Sequence, residues 1–358
     1  MTGEGTPPVR ERSSLPVGHR VLRPRGNDGW SLRFEVRPAV VTVILVVLLV
    51  SVVLASLVIG EFRITAADAV STLLGNPPDR ITDFFIYERR LPRALVAVVV
   101  GASLATSGAV FCALTRNPLA SPDIIGVTQG ASAGGAVVLL LLGGGLAQVA
   151  AGAVTGAVVT SGLIALLAWW RGLSGARLVL LGVALGAVAS AIVAHLLARV
   201  FVASAVTAQT WLIGSLQGRG WSELRLPLLC LVLAGAVVWK QSANLRALAL
   251  GDEVAVALGV RVGRTRALLL VAATLTAAFA VATAGPISFV ALVAPHVARM
   301  LTRSDRVLPA ALVGGLLLLV SDLVAQHAFA LPVPVGVVTV VLGGLFFLGL
   351  LWREGRRG

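Results

Sequence analysis

The chain has 358 residues, of which 57% are hydrophobic and only 13% are charged, and its mean hydropathy is +0.95. This composition excludes a soluble globular domain, because such a domain cannot bury that much apolar surface, and it predicts that lipid surrounds much of the chain. The net charge of +13 does not require a nucleic-acid partner, because the basic residues lie in loops and tails beside apolar runs. Backbone polar groups in lipid need internal partners, and the apolar runs lack the alternation of a β-barrel, so we predict an all-α polytopic membrane protein.

The first segment, residues 1–37, is polar and rich in arginine, glycine and proline. We interpret it as a cytoplasmic extension without stable structure. The apolar run from Ala39 to Gly60 is too long for the apolar region of a signal peptide, and no cleavage site follows it. We assign residues 38–353 to one transmembrane domain and residues 354–358 to a cytoplasmic tail.

Ten apolar segments are candidates for membrane-spanning helices. They cover residues 38–60, 92–114, 122–143, 146–170, 177–200, 224–240, 265–284, 287–301, 307–329 and 333–352. Only Gly285-Pro286 separates the seventh from the eighth, so this dipeptide is either a kink in one helix or a turn between two. With ten spans and a cytoplasmic N-terminus, most of the 29 lysines and arginines fall on the cytoplasmic side. We therefore predict the turn, with both termini in the cytoplasm.

A faint internal repeat relates the two halves of the chain. Arg93-Ala-Leu begins the second span, Arg266-Ala-Leu begins the seventh, and at the same offset Pro122 matches Pro295. Five spans per half is an odd number, so the halves would have opposite orientations in the membrane. We predict two inverted five-helix repeats.

The longest loop on the predicted cytoplasmic side is residues 241–265, where apolar residues recur at rough helical spacing until Gly251. Asp252 and Glu253 stand where the first turn of a helix favours acids, so we predict a short amphipathic helix from Asp252 to Leu258. This helix either lies on lipid headgroups or docks to a cytoplasmic partner.

Three arginines cluster on the opposite side, in the sequence YERRLPR (87–93). They either anchor the second span at the membrane interface or bind an acidic partner outside the membrane.

Polar groups inside the spans are candidates for a transport pathway. Asp322 and Gln326 lie in the ninth span, and Pro295 and His296 lie in the eighth. An intramembrane carboxylate such as Asp322 is either functional or a hydrogen-bonded packing residue.

The histidines and cysteines have no metal-ligand spacing, so we predict no metal and no cofactor. No nucleotide-binding or hydrolase motif occurs, so we do not expect an enzyme.

Several long blocks of the sequence resemble one family of transporters. The blocks are RLPRALVA (90–97), GASLATSGAVFCALTRNPLASPDIIGVTQGAS (101–132), LALGDEVAVALGV (248–260), GPISFVALVAPHVAR (285–299) and LPVPVGVVTVVLGGLFFLGLL (331–351). They resemble the permease subunits of binding-protein-dependent ABC importers for iron–siderophore complexes, haem and vitamin B12, the FecCD group of type II importers. The resemblance implies ten spanning helices, a second permease subunit (identical or related), a cytoplasmic ABC ATPase dimer and an extracytoplasmic binding protein or lipoprotein. It also implies a place in the cytoplasmic membrane of a bacterium, in contact with lipid and without nucleic acid.

The resemblance also implies roles for particular residues. Arg90 and Arg93 match family arginines that face the binding protein, and Gln326 stands where many members have a further arginine. The block 248–260 matches the region that couples to the ATPase. Its candidate contact residues are Gly251, Asp252, Val254, Ala257, Leu258 and Gly259.

The substrate class is the finest inference that the resemblance supports. The blocks after residues 123 and 334 look most like the ferric-siderophore branch, particularly permeases of the ferric-enterobactin type. Haem or cobalamin carried by the same machinery is the alternative. An ion-coupled carrier that uses Asp322 is a third interpretation, which the coupling-like loop disfavours.

Overall fold

A computed structural model describes residues 19–22, 32–60, 62–169 and 175–355 of the chain. The N-terminal part contains one small hairpin, in which β1 (His19–Leu22) pairs with the antiparallel strand β2 (Leu32–Glu35). These residues fall inside the segment for which we predicted no stable structure, and residues 1–18 and 23–31 lie outside the described part. At the other end the last helix includes Gly355, so only residues 356–358 of the predicted tail remain outside.

The rest of the described chain is helical. The helices are α1 (Val36–Val58), α2 (Ala66–Leu73), α3 (Arg80–Phe84), α4 (Leu91–Thr115), α5 (Val127–Leu141), α6 (Leu146–Trp169), α7 (Gly175–Arg199), α8 (Val202–Ile213), α9 (Trp221–Lys240), α10 (Ser242–Leu250), α11 (Asp252–Ala257), α12 (Val262–Ala284), α13 (Val290–Thr302), α14 (Val307–His327) and α15 (Val335–Gly355). Between α3 and α4, a π-helical segment (Phe85–Arg90) runs directly into α4.

The all-α prediction is confirmed, and each of the ten predicted spans coincides with one helix. Within the described ranges, seven helices are long and apolar enough to cross a membrane, namely α1, α4, α6, α7, α9, α12 and α14. The other three, α5, α13 and α15, are shorter apolar helices. The sequence analysis missed α2, α3, α8 and α10, because these helices are short and their apolar residues do not form a span.

Four helix ends meet at one end of the bundle, which we call the Arg93 end. Arg93, in the first turn of α4, pairs with Asp322 near the end of α14. The side chain of Trp221, at the start of α9, donates a hydrogen bond of 2.8 Å to the carbonyl of Tyr87. Arg90 contacts the end of α1. Helices α1 and α14 therefore end where α4 and α9 begin.

Several other helix ends meet at the opposite end of the bundle, which we call the Asp252 end. Helix α4 ends there beside Asp252, and α12 begins there with Arg266. Gly175, the first residue of α7, packs directly on the backbone of Thr115. Helix α1 begins at this end as well, because the Arg37 side chain donates a hydrogen bond to the carbonyl of Leu301, near the end of α13.

These positions decide the interpretation of Gly285-Pro286. Helix α12 begins and α13 ends at the Asp252 end, so the chain reverses direction between them. Gly285 has a φ of +75°, a backbone conformation that side chains with a Cβ disfavour, and residues 285–289 are not helical. The predicted turn between two helices is therefore confirmed.

The inverted repeat is visible in matching positions of α4 and α12. Arg93 and Arg266 both stand near the start of their helix, and each forms an ion pair with an aspartate of another helix, at opposite ends of the bundle. At the offset of the repeat, Arg116 and Phe289 both have a positive φ, of 54° and 70°. These shared features support a structural repeat that sequence identity alone showed only weakly.

Helix α4 lies at the centre of the bundle, against α12, α13 and α14. A Cβ placed on Gly108 would overlap the carbonyl oxygen of Ala291 in α13, and a Cβ on Gly101 would overlap that of Gly314 in α14. Small residues let helix backbones approach closely in lipid, where dispersion contacts replace the hydrophobic effect as the driving force.

We expect cysteine labelling to reproduce this topology in a variant with Cys112 and Cys230 replaced by alanine. Single cysteines at the exposed positions Asn76 and Ser222 lie at the Arg93 end, and those at Glu253 and Asp305 lie at the Asp252 end. An impermeant thiol reagent should therefore label the first pair from one side of the membrane and the second pair from the other. A cysteine at position 305 that reacts from the same side as one at position 222 would contradict the turn at Gly285-Pro286.

Candidate functional site: the two ends of the bundle

The ion pair between Arg93 and Asp322 is the most buried charged contact at the Arg93 end. Arg93 donates two hydrogen bonds to the carboxylate, Nε to Oδ2 at 2.9 Å and Nη2 to Oδ1 at 2.8 Å. Gln326 donates a third, from Nε2 to Oδ2 at 2.8 Å, and Asp322 is only 2% exposed. Paired and hydrogen-bonded in this way, Asp322 joins α14 to α4.

Arg90 is also engaged within the protein. Its Nη1 donates to the carbonyls of Leu57 and Val58 at 2.6 and 3.2 Å, and its Nη2 donates to the carbonyl of Phe62 at 2.6 Å. The last carbonyls of a helix have no partner within the helix, and a basic side chain there satisfies them. Arg90 therefore caps the C-terminal end of α1. Arg90 and Arg93, the two arginines singled out from the sequence, thus both form hydrogen bonds within the protein.

Arg89 is the exposed member of the arginine cluster. Its guanidinium carbon lies 5.6 Å from the centre of the Phe84 ring, a cation–π contact that orients the side chain. The sequence analysis included Arg89 in the arginine cluster, but the resemblance gave a docking role only to Arg90 and Arg93. Only the burial of these two neighbours distinguishes Arg89 from them.

A cavity of about 570 Å³ opens at the Arg93 end. Arg89, Arg90, Arg93 and Arg219 line it, together with the acids Glu88 and Asp322. The Nε of Arg219 is buried and has no hydrogen-bond partner in the described part of the chain. Arg219 lies far from the cluster in sequence, so sequence reasoning had no signal that would place it here. The lining is a basic concave surface suited to acidic side chains.

At the Asp252 end, the side chain of Asp252 holds the junction between α10 and α11 in place. Arg266 donates two hydrogen bonds to Asp252, from Nη2 to Oδ1 at 2.8 Å and from Nη1 to Oδ2 at 3.2 Å, and Nη2 of Arg116 lies 3.8 Å from Oδ1. Gly251, with a φ of 125°, separates the two helices. The predicted helix is present as α11, and Asp252 fixes it to α12 and to the end of α4.

The contacts of Asp252 with Arg266 and Arg116 leave an apolar surface exposed on α11 and the residues beside it. Leu250 is 70% exposed, Leu258 is 65% exposed, and Val254 and Val256 are also exposed, whereas Ala255 faces the core. Of the other candidate contacts, Ala257 and Gly259 are exposed and Gly251 is buried. An apolar patch of this kind outside a membrane span is typical of a protein interface.

The structure does not bring the four pathway candidates together. Asp322 and Gln326 lie at the Arg93 end. Pro295 lines a cavity of about 180 Å³ at the Asp252 end, together with Arg116. The ring of His296 lies edge-on to Phe346 of α15, 6.3 Å away between centres. In the described residues, no group of three or more His, Cys, Asp or Glu side chains could hold a metal ion.

Comparison with known proteins gives the family. The model of the FecCD transport family matches residues 47–353. The chain is 41% identical over 303 residues to the ferric enterobactin transport system permease protein FepG of Escherichia coli K12, which covers 83% of this chain and 91% of that protein. It is also 41% identical over 279 residues to the vitamin B12 import system permease protein BtuC of Yersinia enterocolitica, with 75% and 82% covered.

A solved structure agrees with this match. The inward-facing conformation of a metal-chelate type ABC transporter superposes with a TM-score of 0.79 at 29% identity, over 88% of this chain and 99% of that one. The family match extends over most of the ten-helix domain, and both the basic cavity and the exposed apolar surface of α11 lie within it. The chain therefore belongs to the FecCD transport family and is a membrane-embedded permease subunit of an ABC transporter, not itself an ATPase.

Proposed function

We propose that this permease moves ferric-siderophore complexes across the cytoplasmic membrane of a bacterium, in an importer whose ATPase subunits supply the energy. The observation that carries the proposal is the pair of different surfaces at opposite ends of one bundle, a basic cavity at the Arg93 end and an exposed apolar helix at the Asp252 end. An importer needs this polarity, because it receives its cargo on one side and is driven from the other. A second permease subunit, a copy of this chain or a relative, completes the proposed assembly.

The Asp252 end is proposed to face the cytoplasm, together with both termini. This end carries the basic residues of two loops, Lys240 to Arg266 and Arg299 to Arg306, as well as Arg116 and Arg177. Loops rich in lysine and arginine are retained on the cytoplasmic side during insertion.

The exposed face of α11 is proposed to dock into the ATPase dimer. Leu258 and Val254 are large and apolar, and Asp252 holds their helix rigidly to α12 and α4. Such a contact transmits movement of the ATPase because the helix cannot shift without moving the bundle.

Leu258→Asp should weaken ATPase docking. Aspartate at this position would lose the apolar contact of Leu258 and would bury an unpaired charge in the interface. The cost of about 2 kcal/mol or more should lower the affinity for the ATPase, and with it co-purification, by about thirtyfold or more. The matched control is Leu74→Asp, which changes a leucine that is 75% exposed at the Arg93 end. Unchanged co-purification of the Leu258→Asp variant, with normal transport, would mean that α11 lies on the lipid.

The basic cavity is proposed to receive acidic side chains of the binding protein. Arg89 is exposed and Arg219 has a buried donor without a partner among the described residues, so these two replace Arg90 and Arg93 as the direct contacts. Arg93 is 22% exposed, but its charge is already balanced by Asp322. In this proposal Arg90 and Arg93 shape the docking surface by fixing α1 and α14 beside it.

Two substitutions separate docking from packing. Arg89→Glu should leave the melting temperature unchanged and should weaken binding-protein docking most strongly at low ionic strength, because it reverses an exposed charge. Arg93→Gln should instead destabilise the permease by about 3 kcal/mol, because it leaves the buried Asp322 carboxylate without its partner.

A second substitution tests the cause of each effect. An acid-to-base change on the binding protein should partly restore docking to Arg89→Glu, whereas replacing Asp322 by asparagine should partly restore the stability of Arg93→Gln. If Arg93→Gln keeps full stability and loses docking, Arg93 is a docking residue and the assignment to Arg89 is wrong.

The substrate class is tested by uptake in a strain that lacks its own siderophore, haem and cobalamin permeases. At the same identity of 41%, the similarity to a ferric enterobactin permease extends over more residues than the similarity to a vitamin B12 permease, 303 against 279, so ferric enterobactin should accumulate. Uptake of cobalamin or haem instead would establish the alternative substrate with the same machinery. Uptake that persists with a hydrolysis-deficient ATPase would indicate an ion-coupled carrier.

A further inference from the structure

A lateral groove of about 270 Å³ lies between α6, α7 and α12, in a part of the bundle that neither docking surface uses. Its floor reaches the core of the protein, where Phe111, Ile125 and Leu178 are almost completely buried. Its rim consists of Val158 of α6 and Val271 of α12, both exposed. The groove therefore opens sideways, toward the hydrocarbon of the bilayer, rather than toward water.

The wall of the groove has a gap at Gly162. A Cβ added there would meet no atom within 4 Å, unlike the glycines of α5 and α6 that pack against each other. The neighbouring hydroxyl of Ser161 also lines the groove, and it is buried without a hydrogen-bond partner in the described part of the chain. An empty apolar space beside lipid loses dispersion contacts, so a flexible hydrocarbon chain should fill it.

Two arginines stand close to lining residues of the groove in the sequence, at the end of α7 and α12 that lies toward Asp252. Arg177 precedes the lining residue Leu178, and Arg264 lies three residues before the lining residue Ala267. Both arginines are exposed near the first turn of their helices. Basic side chains between membrane helices, at the level of the headgroups, attract anionic lipids.

We propose that this groove is a binding site for one anionic phospholipid, with an acyl chain beside Gly162 and the phosphate near Arg177 and Arg264. The acyl chain lies beside Ile125 and Val127, which flank Gly126 just before and at the start of α5, and Gly126 packs tightly on Gly182 of α7. A bound lipid thus supports the contact between α5 and α7 from the side that the protein leaves open. The site is separate from cargo transport and does not depend on the identity of the cargo.

The test measures lipid that stays with the purified permease. The protein is reconstituted in vesicles of phosphatidylcholine with or without phosphatidylglycerol, extracted and washed in detergent, and examined by native mass spectrometry. The wild type should retain one phosphatidylglycerol. Gly162→Leu should lower the retention by about tenfold, the effect of losing contact with about two methylene groups. The matched control, Gly235→Leu in α9, also places a side chain where no atom lies within 4 Å and should retain the lipid.

If Gly162→Leu fails to fold, two further variants test the same groove. Val271→Trp fills the groove from the opposite wall and should cause the same loss of lipid. Arg177→Gln combined with Arg264→Gln should lower the preference for phosphatidylglycerol over phosphatidylcholine.

Three outcomes would overturn the proposal. The first is equal retention by Gly162→Leu, Val271→Trp and the wild type. The second is no preference between the two lipids in the wild type. The third is disulfide cross-linking, through a cysteine at Val158, between two permease subunits, which would show that protein covers the groove.

Discussion

The position of every functional group in this permease depends on the close backbone packing of α4 against its neighbours. At Gly101 and Gly108 the central helix leaves no room even for a Cβ, because the carbonyls of Gly314 and Ala291 occupy that space. Hydrophobic burial does not drive helix association in lipid, so this contact and the interhelical hydrogen bonds must fix the bundle. Since α4 runs from one end of the bundle to the other, its placement sets the geometry of the basic cavity and of the junction with α11.

Two ion pairs, one near each end of α4, add to the backbone packing and hold the helices in place. Near the start of α4, Arg93 holds Asp322 of α14, and beyond its end Arg116 approaches the pair of Asp252 and Arg266. Both ion pairs combine short distances with bidentate geometry, and the buried Asp322 needs this geometry for its pair with Arg93 to stabilise the fold. One rigid helix of 25 residues therefore connects the basic cavity to the helix proposed to contact the ATPase. In the proposed function, this direct connection is the path by which the two ends respond to each other.

The internal contacts of Arg90 and Arg93 explain why charge near a membrane surface is a poor guide to the residues that contact a partner. Of the three clustered arginines, one caps α1 and one pairs with a buried aspartate, and only Arg89 stays exposed. An arginine can satisfy several carbonyls or one carboxylate within its own chain, and this removes the desolvation cost that would otherwise oppose its burial. Gln326 fits the same account, because it donates to Asp322 and adds no further charge to the surface.

The sequence by itself determined the all-helical class, the ten spans, the turn at Gly285-Pro286 and the short helix after Gly251, because apolar length, loop charge and glycine position are local properties. It also carried the family, through blocks of ordered residues. Only the tertiary structure decided which charged side chains are paired inside the protein and which stay exposed. Arg93 and Asp322 are 229 positions apart, and no local pattern shows that they meet. The basic cavity and the lateral groove likewise arise where several helices come together, so they exist only once the helices have packed.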